Sequence, residues 1–578
     1  MKRIQINGLA SLLVIAIFLS SCAGLDQMKK LESGVKYTVT PSPLELVGNQ
    51  VAVGIKVTYP AKFFNKKAVV QATPYIKYEK GSKDLPSITV QGESVEGNNK
   101  VIKNAEGGSV EYPTASVEYN DDMMKAELWV KADAWITKKE AKKLALSPIK
   151  IADGIIVTQK LVKIDPKPLM AADKYVKVIP DSYSASLLYV INRYDIRPTE
   201  LKKDEVKKLN EYILKTQDAN SRLKLKNIEI SSYASPDGSV PLNTKLSGNR
   251  GGAADSYLKK ELKKAKITET DKAELWKVLN TPEDWDGFKS LMEASTIKDK
   301  ELVLRVLSMY SDPDVREKEI KHMSATFEQI AKEILPQLRR SKYTVTSERQ
   351  DFNDQEIVAF FDSKPDTLSL EQLLYGATLV QDLNKKLAFY MQATKKDPNC
   401  WRAKNNVGYI YLLQGKAAEA KPFLEAAKAI KDNDMVKNNL GAVALLNGDL
   451  KAAEDLFTSA MGAGEVVSYN LGIINIINGK YDAAVKYFGG TSEFNAALAK
   501  LLQKQLDPAI GLLKGLKDPD ARASYLLAVA YARKDAKDDV YGALRLAVGK
   551  DAKWKAYAQK DLEFAKYFAD DTFKQIVQ

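Results

Sequence analysis

The strongest constraint on the fold is a pattern of small and large apolar residues that repeats near the C-terminus. The first copy consists of Gly408, Gly415, Ala420, Leu424 and Ala427. The pattern recurs 33 residues later as Gly441, Gly448, Ala453, Phe457 and Ala460, and its first four positions recur after a further 31 residues as Gly472, Gly479, Ala484 and Phe488. Small residues let two helices approach closely, and a large residue fills the space beside them, so the period predicts stacked helix pairs.

The period and the residue types resemble tetratricopeptide repeats, and residues 493–519 form a shorter, degenerate unit. The resemblance implies an α-solenoid over residues 366–578 whose concave groove binds protein partners. Asn406, Asn439 and Asn470 occupy the same place in successive first helices and are the candidate groove residues. The alternative interpretation is that these asparagines are polar residues facing solvent.

Short alternating runs between residues 35 and 165 predict a second architecture. Val51, Val53, Ile55 and Val57 alternate with other residues, and glycine-rich turns such as Gly107-Gly108 separate such runs. Period-two alternation with these turns predicts an antiparallel β-sandwich. It contains no catalytic constellation, so a spacer or a partner-binding domain is expected.

A strand, a turn and a helix follow in the middle of the chain. An alternating strand ends near Ser232, the turn is Ser235-Pro236-Asp237-Gly238, and the helix carries Asn243 and Arg250. An earlier strand, Ser186–Ile191, and a helix with apolar residues at three-and-four spacing precede them. This β-α-β-α order favours a sheet with helices on one face, an α+β domain.

The positions of Asn243, Leu246-Ser247 and Arg250 resemble the OmpA C-terminal domain family, which binds peptidoglycan. The resemblance implies that Arg250 grips a stem-peptide carboxylate and that Asn243 supports the site. The family's aspartate falls on Ser235, so Asp237, two residues on, is the alternative anion. The predicted peptidoglycan-binding set is therefore Ser235, Asp237, Asn243 and Arg250. Asp237 as a turn cap and Arg250 as a surface arginine remain alternatives.

The resemblance places this OmpA-like domain at residues 175–350. A helical insertion is predicted near residues 266–330, including Trp276, followed by a returning strand over Leu338–Thr346. The basic pair Arg339-Arg340 is interpreted as charge at a sheet edge, where it discourages strand pairing.

The N-terminus has the pattern of a targeting signal. Lys2 and Arg3 precede a short apolar run, so residues 1–21 are expected to be a secretory signal. The ending Leu19-Ser20-Ser21-Cys22 resembles the lipobox of bacterial lipoproteins, which implies a lipidated Cys22, a tether over residues 22–34 and an outer-membrane location. The periplasmic side is favoured and surface exposure stays open. An ordinary signal with a chance cysteine is the alternative.

Composition excludes most catalytic classes. The chain has two cysteines and one histidine, which are too few for the four ligands of a structural zinc site. A histidine-based catalytic triad would have to be built around His322. Its net charge of +13 is scattered and accompanies no nucleic-acid motif. Cys400 is expected to be a buried small hydrophobe. No cofactor, metal or nucleic-acid partner is predicted.

These features predict a non-enzymatic, lipid-anchored envelope scaffold that binds protein through its repeats and peptidoglycan through its OmpA-like domain. The alternative is a subunit or assembly factor of an outer-membrane or secretion complex that does not bind peptidoglycan. A wall-modifying enzyme is disfavoured because no motif singles out a carboxylate pair.

Overall fold

The computed structural model describes residues 25–267 and 272–578. The signal over residues 1–21 and the lipidation site Cys22 lie outside the described residues. The chain divides into two compact units, one containing the chain up to Ala172 together with Asp382–Gln578, the other being Asp173–Gln381. The segment from residue 366 to 381, which the repeat pattern assigned to the solenoid, therefore falls in the second unit.

The N-terminal region is rich in strands. They are β1 (Lys36–Thr40), β2 (Leu44–Val47), β3 (Gln50–Tyr59), β4 (Ala68–Tyr78), β5 (Gly81–Asp84), β6 (Ile88–Gly92), β7 (Lys100–Ile102), β8 (Gly108–Glu111), β9 (Ala115–Glu118), β10 (Ala126–Ile136), β11 (Leu144–Ala145) and β12 (Ile149–Ile156). Their main order is β1-β3-β2-β12-β10-β4-β6-β7. We call this region the sheet domain.

The sheet domain differs from the predicted sandwich. All twelve strands belong to one sheet, which curls into a half-barrel, and β2 pairs in parallel with β12 while β6 pairs in parallel with β7. Alternate residues of β3, such as Val51 and Val57, are buried inside the curl. Alternation of apolar and polar residues indicates only that each strand has one buried face. Strands of a curled sheet and strands of two packed sheets both meet that condition.

The second unit is built on a four-stranded sheet of order β13-β16-β14-β15. Its strands are β13 (Val178–Leu188), β14 (Leu223–Tyr233), β15 (Trp276–Thr281) and β16 (Arg340–Gln350). Strand β16 pairs antiparallel with β13 and β14, and β15 pairs parallel to β14. The returning strand was predicted, but β16 lies inside the sheet, so the interpretation of Arg339-Arg340 as edge charge is wrong.

The described part of the second unit also contains ten α-helices. They are α1 (Pro198–Leu201), α2 (Asp204–Lys215), α3 (Val240–Lys264), α4 (Trp285–Ala294), α5 (Lys300–Met309), α6 (Pro313–His322), α7 (Ser324–Glu333), α8 (Leu335–Leu338), α9 (Asp354–Ser363) and α10 (Leu370–Leu379). The predicted β-α-β-α order is present. Trp276 begins a strand and is not part of a helical insertion; the helices α4 to α8 pack around a core of their own that includes Phe288, Met292 and Val303.

The C-terminal region is a stack of antiparallel helices. They are α11 (Leu383–Lys396), α12 (Trp401–Leu413), α13 (Ala417–Ile430), α14 (Asp434–Leu446), α15 (Leu450–Ser459), α16 (Glu465–Ile477), α17 (Tyr481–Phe488), α18 (Phe494–Leu502), α19 (Leu506–Lys514), α20 (Ala521–Arg533), α21 (Lys537–Lys550), α22 (Lys553–Ala558) and α23 (Asp571–Val577). We call this region the solenoid. Cys400 is a free, buried cysteine at the start of α12, as expected.

The repeated glycines explain the close packing of each helix pair. A Cβ placed on Gly441 would lie 2.8 Å from the ring of Phe457, and one placed on Gly472 would lie 2.6 Å from the ring of Phe488. The large residue of each repeat therefore occupies the space that a side chain at the glycine would need. The repeated pairing of a glycine with a large residue in the sequence therefore reflects the contact between the two helices of each repeat.

Candidate functional site

An extended segment connects the sheet domain to the rest of the chain and lies along the solenoid. It covers residues 162–172, Val-Lys-Ile-Asp-Pro-Lys-Pro-Leu-Met-Ala-Ala, and we call it the strap. It follows the short 3₁₀ helix Thr158–Leu161. The solenoid face that it contacts carries Asn406, Asn439, Asn470 and Asn495, and we call this face the groove.

Each groove asparagine bonds to both backbone groups of one strap residue. The side-chain oxygen of Asn439 accepts from the N–H of Leu169 at 2.6 Å, and its nitrogen donates to the carbonyl of Leu169 at 2.7 Å. Asn406 does the same with Ala171, at 2.8 and 2.9 Å. An amide side chain offers one donor and one acceptor at the spacing of an extended residue's own N–H and C=O, so it satisfies both groups together.

The other two asparagines repeat this arrangement farther along the strap. Asn470 bonds to Lys167 at 2.7 and 3.0 Å, and Asn495 bonds to Lys163 at 2.9 Å in both directions. The strap therefore runs antiparallel to the order of the repeats.

A second row of asparagines supports the first. Asn405 donates to the carbonyl of Leu169 at 3.1 Å and accepts from Asn439 at 3.0 Å, and Asn438 donates to the carbonyl of Lys167 at 3.1 Å. These side chains are fully buried, and a buried amide is tolerated when its hydrogen bonds are made. The asparagine pairs and the strap backbone thus satisfy one another.

The prolines of the strap fit this register. The bonded residues are at odd positions, from Lys163 to Ala171, whereas Pro166 and Pro168 are at even positions whose missing N–H groups no asparagine needs. A proline also holds the residue before it in an extended conformation. The two prolines therefore favour the extended conformation in which the strap binds the groove.

Two lysines of the strap also have specific surroundings in the solenoid. The ammonium of Lys167 lies 2.5 Å from a carboxylate oxygen of Glu493 and 4.0 Å from the ring centroid of Tyr469. The ammonium of Lys163 lies 2.8 Å from Asp520 and 4.6 Å from the ring centroid of Phe494. Each lysine thus combines an ion pair with a cation–π contact.

The 3₁₀ helix that precedes the strap also fixes the sheet domain to the solenoid. Gln159 donates to the carbonyls of Gly48 in the sheet domain and Ile477 in the solenoid, at 3.0 and 2.9 Å. Thr158 donates to the carboxylate of Glu563 near the C-terminus. Glu563 is buried and is paired with Arg533, so the junction ends in an ion pair.

Asn406, Asn439 and Asn470 were predicted to line the groove, and they do contact an extended peptide, which is the chain's own. The sequence reasoning missed Asn405, Asn438 and Asn495. The first two were visible as Asn-Asn pairs repeated 33 residues apart, and Asn495 lies in the unit regarded as degenerate.

The predicted peptidoglycan residues lie in the second unit, and three of them cluster. The hydroxyl of Ser235 donates to the carboxylate of Asp237, and Asn243 donates to the carbonyl of Ser235 at 3.2 Å. Arg339, which the sequence analysis placed at a sheet edge, donates to Ser235 at 3.0 Å and to Asp237 at 3.0 Å. The carboxylate that would hold an ammonium is therefore already paired with a cation of the same chain.

Arg250 is buried and bonded to backbone. Its side chain is 1% exposed, and its guanidinium donates to the carbonyls of Tyr233 at 2.9 Å, Arg193 at 3.1 Å and Val190 at 3.4 Å. Burial lowers the pKa of Arg250 to about 10. In this arrangement the guanidinium holds the segment after β13 against β14 and has little surface for a carboxylate ligand.

Residues 388–435 match the tetratricopeptide repeat family. No curated protein matches the chain. Among solved structures, the Cut9-Hcn1 hetero-tetramer of APC/C is 15% identical with a TM-score of 0.31, and the match covers 38% of this chain and 45% of that chain. The chain thus spans less than half the length of that structure.

Two further solved structures are similar. A tetratricopeptide repeat protein from Parabacteroides merdae is 13% identical with a TM-score of 0.29, over 36% of this chain and 91% of that chain. Yeast Tom70 is 13% identical with a TM-score of 0.26, over 65% of this chain and 88% of that chain. The sequence match, which lies within α11 to α14, identifies tetratricopeptide repeats in the solenoid.

Proposed function

We propose that this chain is a non-enzymatic scaffold of the bacterial envelope, anchored by lipid on Cys22 to the outer membrane and facing the periplasm. Tetratricopeptide repeats are interaction modules, and the observation that carries the proposal is the groove, which holds an extended segment by its backbone. Anchoring and protein binding on one chain raise the effective concentration of the bound partner at the membrane.

The position of the strap determines which surface of the solenoid is open to protein partners. Because the strap fills the groove and is covalently continuous with the sheet domain, it joins the two parts of the unit. A partner that used the groove would have to displace a segment held at millimolar effective concentration. Partners are therefore expected on other surfaces of the solenoid, where apolar side chains such as Leu546, 59% exposed, are available.

Photo-crosslinking in intact envelopes tests the scaffold. A photo-reactive amino acid at Leu546 should give an adduct of one discrete mass, and the same probe at Lys100, exposed in the sheet domain, is the control. Identical smears of adducts at both positions would contradict a defined partner surface on the solenoid.

The lipid anchor has its own test. Wild-type protein is expected to incorporate labelled palmitate and to partition into a detergent phase, and the Cys22→Ser variant is expected to do neither. Incorporation of label by the variant would contradict the assignment of Cys22.

Of the two forms that the sequence leaves open, the geometry favours the scaffold without peptidoglycan binding. The pairing of Asp237 with Arg339 and the burial of Arg250 support this choice. Purified protein is expected to stay in the supernatant when peptidoglycan is sedimented. Pelleting of the wild type, lost in a folded Asp237→Asn variant, would instead support the wall-binding form.

A further inference from the structure

A cavity of about 570 Å³ lies beside Trp554, where the C-terminal helices of the solenoid meet the sheet domain. We call it the Trp554 cavity. Its apolar wall comes from Tyr119 and Val157 of the sheet domain and from Trp554 and Tyr557 of α22. The volume lies in the range of small-molecule sites, which are about 300–1,000 Å³.

The charged residues of the wall are mostly cationic. Lys160, Arg522, Lys553 and Lys560 line the cavity together with one carboxylate, Asp121. Asp121 pairs with Lys160 and Lys553 pairs with Asp551, so Arg522 and Lys560 are the wall cations that have no carboxylate partner among the described residues. The guanidinium of Arg522 is held by the strap, since it donates to the carbonyls of Val162 and Leu161 at 3.1 and 3.4 Å.

A neighbouring cavity offers a comparison. It has a volume of about 730 Å³ and shares Arg522, Lys553 and Trp554 with the first. Its wall also carries four aspartates, at positions 165, 518, 520 and 551, which balance its four cationic residues. An anion is therefore attracted to the Trp554 cavity and not to its neighbour.

Trp554 adds a polar group that needs an acceptor. Its side chain is 5% exposed and stacks on Tyr525 with ring centroids 4.4 Å apart. The indole N–H is buried and has no hydrogen-bond partner among the described residues. A buried donor without a partner is costly, so an acceptor bound beside the ring would relieve that cost.

We propose that the Trp554 cavity binds a small amphipathic organic anion, with an apolar or aromatic body against Tyr119, Trp554 and Tyr557 and an anionic group near Arg522 and Lys560. Both an aryl acid and a fatty acid have this chemistry. The site is separate from the groove and does not depend on the scaffold function.

A matched pair of dyes tests the proposal on the full chain. 1-Anilinonaphthalene-8-sulfonate and N-phenyl-1-naphthylamine share an aromatic body, and only the first is anionic. The sulfonate is expected to bind with one-to-one stoichiometry and at least tenfold more tightly than the neutral dye, with an affinity that falls as salt is added. Equal affinity for both dyes would overturn the proposal.

Variants locate the site. Lys560→Gln should weaken binding of the sulfonate about fivefold, the effect of one exposed charge. Lys555 lies five residues earlier, in α22, and does not line the cavity, so Lys555→Gln should leave the affinity unchanged. Equal effects of the two variants would overturn the assignment.

Fluorine labelling gives a readout that does not depend on dye affinity. Protein labelled with 5-fluorotryptophan has six tryptophans, and the resonance of Trp554 is assigned as the one that the Trp554→Phe variant lacks. That resonance should shift when the sulfonate is added. A shift confined to other resonances would place the dye elsewhere and contradict the site.

Competition distinguishes the two sources of the anion. Displacement of the dye by dodecanoate indicates a fatty acid, and displacement by 2-naphthoate indicates an aryl acid. Dodecanol and 2-naphthol lack the charge and should displace nothing, and displacement by either alcohol would overturn the requirement for an anion.

Discussion

Replacing Asn439 by alanine should release the centre of the strap from the groove. The amide makes hydrogen bonds of 2.6 and 2.7 Å to the N–H and C=O of Leu169 and a third, of 3.0 Å, to Asn405. Asn439 is fully buried, so alanine leaves the N–H of Leu169 and the side-chain oxygen of Asn405 without their bonds, whereas the carbonyl of Leu169 keeps its bond from Asn405. An unsatisfied buried group costs about 1–3 kcal/mol, but the strap can move toward water, and we expect a total of about 2–3 kcal/mol.

Hydrogen exchange at the amide of Leu169 measures this effect directly. A loss of about 2–3 kcal/mol corresponds to roughly 30- to 150-fold faster exchange, since each 1.4 kcal/mol is tenfold. Asn447, exposed at the end of α14, provides the matched control, and Asn447→Ala should leave exchange at Leu169 unchanged. Unchanged exchange in Asn439→Ala would refute the argument that the asparagine holds the strap.

Three further predictions concern stability, measured by urea unfolding. Pro168→Ala should lower the free energy of unfolding by only about 0.4–1 kcal/mol, because no hydrogen bond is lost, whereas Leu169→Pro removes a bonded N–H and should lower it by about 2 kcal/mol or more; equal losses would contradict the register. Gly441→Ala should destabilise by about 1–3 kcal/mol through its clash, while Gly542→Ala, with open space around it in α21, should stabilise by about 0.5–1 kcal/mol; the same sign for both would contradict the packing argument. Burial raises the pKa of Asp561 to about 7, so the folded state retains a proton that the unfolded state releases above about pH 4. The free energy of unfolding of the wild type should therefore fall relative to that of Asp561→Asn between about pH 4 and 7, by up to about 1.4 kcal/mol per pH unit. Parallel pH profiles of the two proteins would contradict this.

The elements of the fold were predictable where periodicity fixes the burial of a residue. The repeated glycines predicted helix pairs because each one contacts the large residue of its own repeat, a local interaction. The strands of the sheet domain were predictable for the same reason. That these strands form one curled sheet depends on the pairing of β2 with β12, which joins residues about 110 positions apart and leaves no periodic signal.

The candidate site shows where sequence reasoning stopped. The equivalent positions of Asn406, Asn439 and Asn470 were visible, but the segment that they bind lies more than 230 residues earlier and was regarded only as the end of a domain. Likewise the burial of Arg250 comes from packing against segments up to 60 residues away, and Asp237 pairs with Arg339, 102 residues away. A motif predicts which residues are near one another, and it does not show whether the chain itself supplies their partners.

Binding of the strap sequence in trans tests the central claim most directly. A fluorescent peptide of residues 162–172 should not bind wild-type protein, because the groove is already filled. It should bind a variant in which the same eleven residues are replaced by a glycine-serine sequence, and the Asn439→Ala change should weaken that binding. Equal binding of the peptide to wild type and to the variant would contradict the claim that the chain occupies its own groove.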